Sequence, residues 1–319
     1  MPKLSFQYMR QQWTETLLEF LVRRFRYHNA AEWEARIRDG AVTVDGRRVA
    51  PEVRLESRQR ILYERPTGPE PPVDGRYTVL LEDAHVLAVS KSGNIPTSPS
   101  GKYWTNCLLH LLQRERDLPQ LFAVHRLDRE TSGVNLFAKH PAAARALGLA
   151  FQAGQVHKAY AAIVSGAFPA GRTYVSGPIR TARSGEVRIR QEVHGDGRPA
   201  RTRFLLRARL PGASLVRAEP LTGKTHQIRV HAALLGHPIW GDKLYGRNEA
   251  EFLAWVRQGP RNAAERQLLH ATELRFPHPV SGDMVEVRDV EQPLLEIFLG
   301  ALGGAGSQGE GSWEGMGAG

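Results

Sequence analysis

Cysteine is almost absent from these 319 residues: Cys107 stands alone and cannot close an internal disulfide. The fold therefore has to rest on burial and hydrogen bonding, in what reads as a reducing compartment. Long apolar runs are missing too. No stretch approaches the ~18 consecutive apolar residues of a membrane span, and Met1 to Gln7 lacks the basic-then-apolar order of a secretory signal. Cysteines and carboxylates do not cluster at the spacing of a metal site, and His226 with His231, five apart, fall on different sides of a helix. Lysine is scarce, at seven of 43 basic residues, so the other 36 are arginine.

What is present is positive charge. A net +10 and a pI near 10.0 favour a polyanionic partner, and arginine suits phosphates and bases because its planar fork binds bidentately and stacks. A GC-rich genome would raise the arginine share without any function, but it does not explain the surplus charge. The 41% hydrophobic content supports ordinary cores, and the length suggests about two domains.

Residues 1–66 read as a small unit with 13 basic and nine acidic residues. Trp13–Phe25 and Ala31–Arg38 carry apolar residues at helical spacing, Asp39-Gly40 stops the second helix, and Asp45-Gly46 between short β-prone runs predicts a type I′ hairpin. Four prolines from Pro66 to Pro72 predict a stiff linker over 67–76. A second domain is expected over 77–299: strands at 77–81, 86–89, 121–124, 134–138, 159–164, 187–191, 202–209 and 215–219, and helices at 141–152 and 225–235. The glycine-rich 300–319 reads as a disordered tail. Short strands with interspersed helices give an α+β class, with a mixed, largely antiparallel central sheet and flanking helices.

Chemistry concentrates in a few segments. His125-Arg126-Leu127-Asp128-Arg129-Glu130-Thr131-Ser132-Gly133 is polar and turn-like, yet clamped between two apolar strands. Arginines flanking Asp128 favour its carboxylate form, which fits a structural ion pair or a reacting group. Lys158 and Tyr160 share one strand face, either as an ordinary half-buried strand or as a platform for a base. In Thr222-Gly223-Lys224-Thr225-His226-Gln227-Ile228-Arg229-Val230-His231 a glycine turn enters a helix, with Thr225 as N-cap and His226 and Arg229 on one face. Gly236–Gly246 reads as a loop shaping a cleft wall.

Together, and in this order, these segments resemble the RluA-type RNA pseudouridine synthases, as does a later Leu269-His270-Ala271 with Phe276-Pro277-His278-Pro279. The resemblance runs from about Tyr77 to Val290. Ser92, after Lys91, departs from the proline common there. Ile37–Gly46 resembles an S4 RNA-binding domain. The resemblance implies a pseudouridine synthase fold and an isomerase that breaks a uridine's N1–C1′ bond and rejoins the base through C5, without metal or cofactor. It assigns catalysis to Asp128, Tyr160 and Arg229, and substrate contacts to His125, Arg126, Thr131, Lys158, His226 and Ile228. Asp128 would be the catalytic carboxylate, Arg229 its ion-pair partner, Tyr160 the ring against the uracil, and Arg126 a filler of the gap left by the flipped nucleotide. The implied partner is rRNA or tRNA, with the enzyme a cytoplasmic monomer. Two other readings compete: a glycosidase using Glu130 as second carboxylate, and a non-catalytic RNA-binding or ribosome-assembly factor on the same fold.

Overall fold

The computed structural model describes residues 3–9, 14–25, 28–64, 69–183, 185, 187, 189–258, 266–290 and 292–305. The chain divides into two compact units, Met1–Pro72 with Ser100–Thr105, and Val73–Pro99 with Asn106–Gly319.

The first unit holds β1 (Lys3–Gln7), α1 (Leu17–Arg24), α2 (Ala30–Arg38), β2 (Val42–Val44), β3 (Arg47–Arg48) and β4 (Arg60–Glu64), with the sheet ordered β1-β4-β2-β3. Both helices begin with a capping box, Thr16 with Glu19 and Asn29 with Glu32, which satisfies amides that a helix start leaves open. Trp33, Ile37, Leu17 and Leu21 pack on Ile61 and Tyr63. Asp45 (φ 50°) and Gly46 (φ 77°) make the expected primed turn. β1 and β4 were not foreseen, and the first helix starts later than Trp13, which lies outside the described residues.

The second unit contains β5 (Tyr77–Glu82), β6 (Val86–Lys91), α3 (Leu108–Glu115), β7 (Phe122–Ala123), β8 (Ser132–Ala138), α4 (Pro141–Gln152), β9 (His157–Ser165), β10 (Arg172–Ser176), β11 (Ile179–Thr181) and β12 (Gln191–Val193). It continues with β13 (Arg201–Leu210), β14 (Ala213–Pro220), α5 (Gln227–Leu234), α6 (Glu249–Gln258), β15 (Leu269–Pro277), β16 (Met284–Arg288) and α7 (Gln292–Ala305). The central sheet runs β10-β13-β14-β9-β15-β8-β6-β5, with β16 beside β15 and β7 beside β8. Among the described residues only β15 with β8 is parallel, so the sheet is mixed and largely antiparallel. No helix among the described residues is long and apolar enough to cross a membrane.

Two expectations need correction. The strand placed at 187–191 lies at Gln191–Val193. The tail expected from residue 300 is helical as far as Ala305; residues 306–319, like 67–68 of the expected linker, lie outside the described residues.

β8 sets the position of the site. All seven of its residues are buried. β6 runs along one edge, while the other is shared: β15 pairs at Ser132 and Gly133, and β7 at Phe137 and Ala138. The loop between β7 and β8 fills the interval between these pairings. Gly133 (φ +99°) is required there, since a Cβ would meet the Ala271 carbonyl oxygen at 2.2 Å.

Candidate active site

The β7–β8 loop is tied down residue by residue, because buried polar groups without partners are costly. His125 Nε2 accepts the Leu136 N–H at 2.9 Å, so the imidazole stands in for a strand partner on the open edge of β8. Its ring stacks on Phe151, and burial lowers its pKa to about 3, which keeps it neutral. His125, expected to touch substrate, is thus engaged in holding the loop. The Leu127 N–H donates to Thr97 Oγ1 (3.1 Å), whose hydroxyl donates to the buried Asn135 (2.7 Å). Thr131, also expected at the substrate, is buried, and its hydroxyl accepts from Gln267 Nε2 at 2.7 Å. Lys91, 1% exposed, donates to the carbonyls of Ser92, Ile95 and Arg129; burial lowers its pKa to about 7.

Asp128 sits at the tip, with 28% of its side chain exposed. Its Oδ2 accepts from Arg229 Nη1 at 2.8 Å. Arg229, on the first turn of α5, sends Nε and Nη2 to the two oxygens of Asp242 at 2.7 and 2.9 Å. Asp242 is fully buried and also accepts the Leu244 and Tyr245 N–H groups. One guanidinium therefore bridges two carboxylates, and its plane cannot turn without breaking both contacts. Burial opposes ionisation of Asp128, but His226, Arg229 and Gln267 together hold its carboxyl below the usual range. At neutral pH Arg229 carries this effect, because burial lowers the His226 pKa to about 4. Burial also works against the charge on Arg229; hydrogen bonds and attraction from Asp242, then Asp128, raise its pKa beyond that of free arginine.

His226 corrects the sequence reading of this helix. The N-cap is His226, in left-handed conformation (φ +55°) and without a side-chain cap bond, and not Thr225. The strained residue places Nδ1 2.8 Å from the Tyr245 hydroxyl and Nε2 3.8 Å from Asp128 Oδ1. At this helix start the Gln227 N–H donates to the Lys224 carbonyl, and the Gln227 side chain accepts from the Thr222 hydroxyl and the Lys224 N–H. His231 points elsewhere, to Thr202 and the Gly177 carbonyl. No group of three or more metal-ligating side chains occurs among the described residues.

Tyr160 is 9% exposed and shares a core with Leu127, Ile228, Leu269 and Ala271. Burial and the Asp128 charge raise its pKa, so the hydroxyl keeps its proton and can donate or present its ring. Ile228 is a buried core residue. Lys158 is half-buried, its pKa lowered by burial and then by Lys224. Arg126 is exposed. Glu130 accepts from Lys243 at 2.8 Å and from Arg129 at 2.9 Å, so it serves the loop and not as a partner carboxylate to Asp128.

Asp242, Tyr245 and Gln267 were not foreseen as site residues. Tyr245 lies beneath the Arg229 guanidinium at 5.0 Å, a cation–π contact that further fixes its plane. The only sequence signal for Asp242 was its place among turn residues.

Two half-buried neutral histidines make stability depend on pH. His125 and His226 have folded pKa values of about 3 and 4 against 6.5 unfolded. The unfolded chain therefore binds more protons between these values, and their contribution, intact above pH 6.5, erodes as pH falls towards 4. Tm is expected to drop steadily from pH 7 to pH 5 in a circular-dichroism melt. A Tm constant over that interval contradicts the burial of these rings as neutral groups.

The sequence pattern of the RNA pseudouridylate synthase family matches residues 85–234. The chain is 34% identical over 278 residues to "Ribosomal large subunit pseudouridine synthase C" of Vibrio cholerae, covering 82% of this chain and 85% of that protein. It is 34% identical over 302 residues to "Ribosomal large subunit pseudouridine synthase D" of Xanthomonas campestris, covering 90% and 88%. Among solved structures, human RNA Pseudouridylate Synthase Domain Containing 1 superposes with TM-score 0.56 at 28% identity, over 69% of this chain and 86% of that one. A loop carboxylate clamped by an arginine, on a fold and sequence shared with these proteins, places the chain in the RluA-type family of RNA pseudouridine synthases: it is an isomerase of RNA uridines.

Proposed function

We propose that the substrate is ribosomal RNA, that Asp128 is the reacting carboxylate, and that Arg229, Tyr160 and Arg126 serve it. The observation that carries the catalytic part is the shared guanidinium: Arg229 bonds Asp128 while anchored by the fully buried Asp242. Asp128 is thereby charged and aimed before substrate arrives, as a group reacting at the sugar carbon requires. Oδ2 is committed to Arg229, and Oδ1 is left to act at C1′ as N1–C1′ breaks. Oδ1 bonds C1′ as the uracil departs as its anion; the base turns, C5 bonds C1′ as the Oδ1–C1′ bond breaks, and the proton lost from C5 is balanced by one gained at N1. Tyr160 presents its ring to the base and its hydroxyl as a proton donor. The exposed Arg126 fills the space of the flipped nucleotide. Lys158 and Lys224, whose like charges repel, hold the phosphate beside it.

The choice of ribosomal over transfer RNA is supported by the relatives, which are named for the large ribosomal subunit over more than four fifths of this chain. The first unit, with its arginine-bearing helices and four-stranded sheet, is proposed as an S4-like RNA-binding domain, and the enzyme as a cytoplasmic monomer. Mapping pseudouridines in total RNA from cells with and without the protein tests the substrate. Loss of specific ribosomal sites supports the proposal; loss confined to tRNA overturns it.

A further inference from the structure

The sheet has a second chemically distinctive surface on the face away from Asp128. Phe204 and Val216 point into the core that contains Tyr160, Leu127 and Ile228, so their alternating neighbours on β13 and β14 face the other way. There a shallow pocket of about 200 Å³ is lined by Arg172, Arg203, Leu205, Arg207, Arg217 and Glu219. The strands align them in rows: Arg172 opposite Leu205, Leu205 opposite Arg217, and Arg203 opposite Glu219. Glu219 pairs with Arg203 and Arg217, and Glu273 with Arg217. Two cations are thus balanced by two carboxylates. Arg172 and Arg207 are exposed, and their guanidinium groups have no ion pair or hydrogen bond among the described residues. Tyr174, opposite Arg203, is 63% exposed.

Clustered like charges on one sheet face cost stability. Charge can protect a sheet edge from pairing with another chain, which would explain Arg172 on the edge strand β10. Arg207 lies past the β10 register and is skipped by that of β14 at a bulge, and edge protection alone does not call for it to line one pocket together with Arg172. Unneutralised guanidinium groups beside an exposed aromatic ring suit a sugar–phosphate backbone whose bases can stack. We propose that this back face binds a single-stranded segment of the substrate RNA outside the target nucleotide. The proposal rests on the substrate being an RNA long enough to reach around the sheet, as ribosomal RNA is.

The test uses the full chain and a fluorescent oligouridine of about 20 nucleotides, a length that exceeds a single-strand site. Affinity is read by anisotropy, and contacts by photo-crosslinking with 4-thiouridine. The double variant Arg172→Glu with Arg207→Glu keeps the edge charged and removes no native partner. It is expected to weaken binding at least tenfold and to flatten the salt dependence by about 1.4 in log–log slope, the value for two single-strand phosphates. Tyr174→Ala is expected to weaken binding about fivefold or more. Crosslinks are expected at residues 172–174. Unchanged affinity in the double variant, or crosslinks confined to other segments, overturns the proposal. Because the probe needs no turnover, this result stands apart from whether ribosomal RNA is the substrate. On a minimal stem-loop substrate the double variant should keep the wild-type kcat and KM; a drop in kcat there would mark a fold defect and contradict a separate site.

Discussion

Arg229→Ala is expected to lower kcat roughly 100- to 1,000-fold, the usual cost of removing one preorganised electrostatic contact at a reacting group. RNA affinity should change little, since the guanidinium is buried under Tyr245 and between two carboxylates and does not reach the RNA backbone. The substitution also strands Asp242, fully buried and left with two backbone N–H donors but no counterion. Breaking a buried pair in this way costs about 3–5 kcal/mol of stability. Arg229→Lys separates the two effects. A lysine restores the charge but not the planar fork that reaches both carboxylates at once, so most of the stability should return while kcat stays well below wild type. Steady-state kinetics with thermal melts of both variants give the answer. A defect chiefly in KM would contradict the role assigned to Arg229.

The reach of the sequence is clearest at this same cluster. The β7–β8 loop was legible because nine polar or turn residues sit between apolar strands, and Arg229 because it shares a helical face with His226. Asp242 was not. A carboxylate among Gly241, Lys243 and neighbouring turn residues looks the same whether it caps an exposed turn or lies fully buried under an arginine; only the packing of α5 against that loop decides. Similarly, His125 reads as a substrate contact in a linear motif, and its pairing with the Leu136 N–H depends on a gap in strand pairing that no local pattern shows. β15 was missed because a bulge between Ala271 and Glu273 interrupts its alternation. α3 was missed because its N-cap, Cys107, offers no capping side chain as a signal in the sequence, whereas Thr225 offered one before α5. Thr225 had the right chemistry for an N-cap, but the helix starts from a left-handed His226 that reaches Tyr245 and faces Asp128, so tertiary contacts override the local preference.

Everything proposed for the site turns on Asp128, and Asp128→Asn is the variant that isolates it. The amide keeps the size and removes the charge. The fold should hold, because Arg229 retains both oxygens of Asp242 and the loop keeps its ties through His125, Thr131 and Glu130. RNA binding should hold too, since a carboxylate contributes nothing to gripping phosphates. Chemistry should not: losing the group that reacts at the sugar carbon typically costs on the order of 10⁴-fold or more. The direct measurement is tritium release from RNA labelled at uridine C5, under single-turnover conditions, for wild type and Asp128→Asn with matched RNA affinity. Release by wild type with none above background from the variant is the predicted result; release from Asp128→Asn at a rate near wild type would contradict the assignment of Asp128 as the reacting carboxylate.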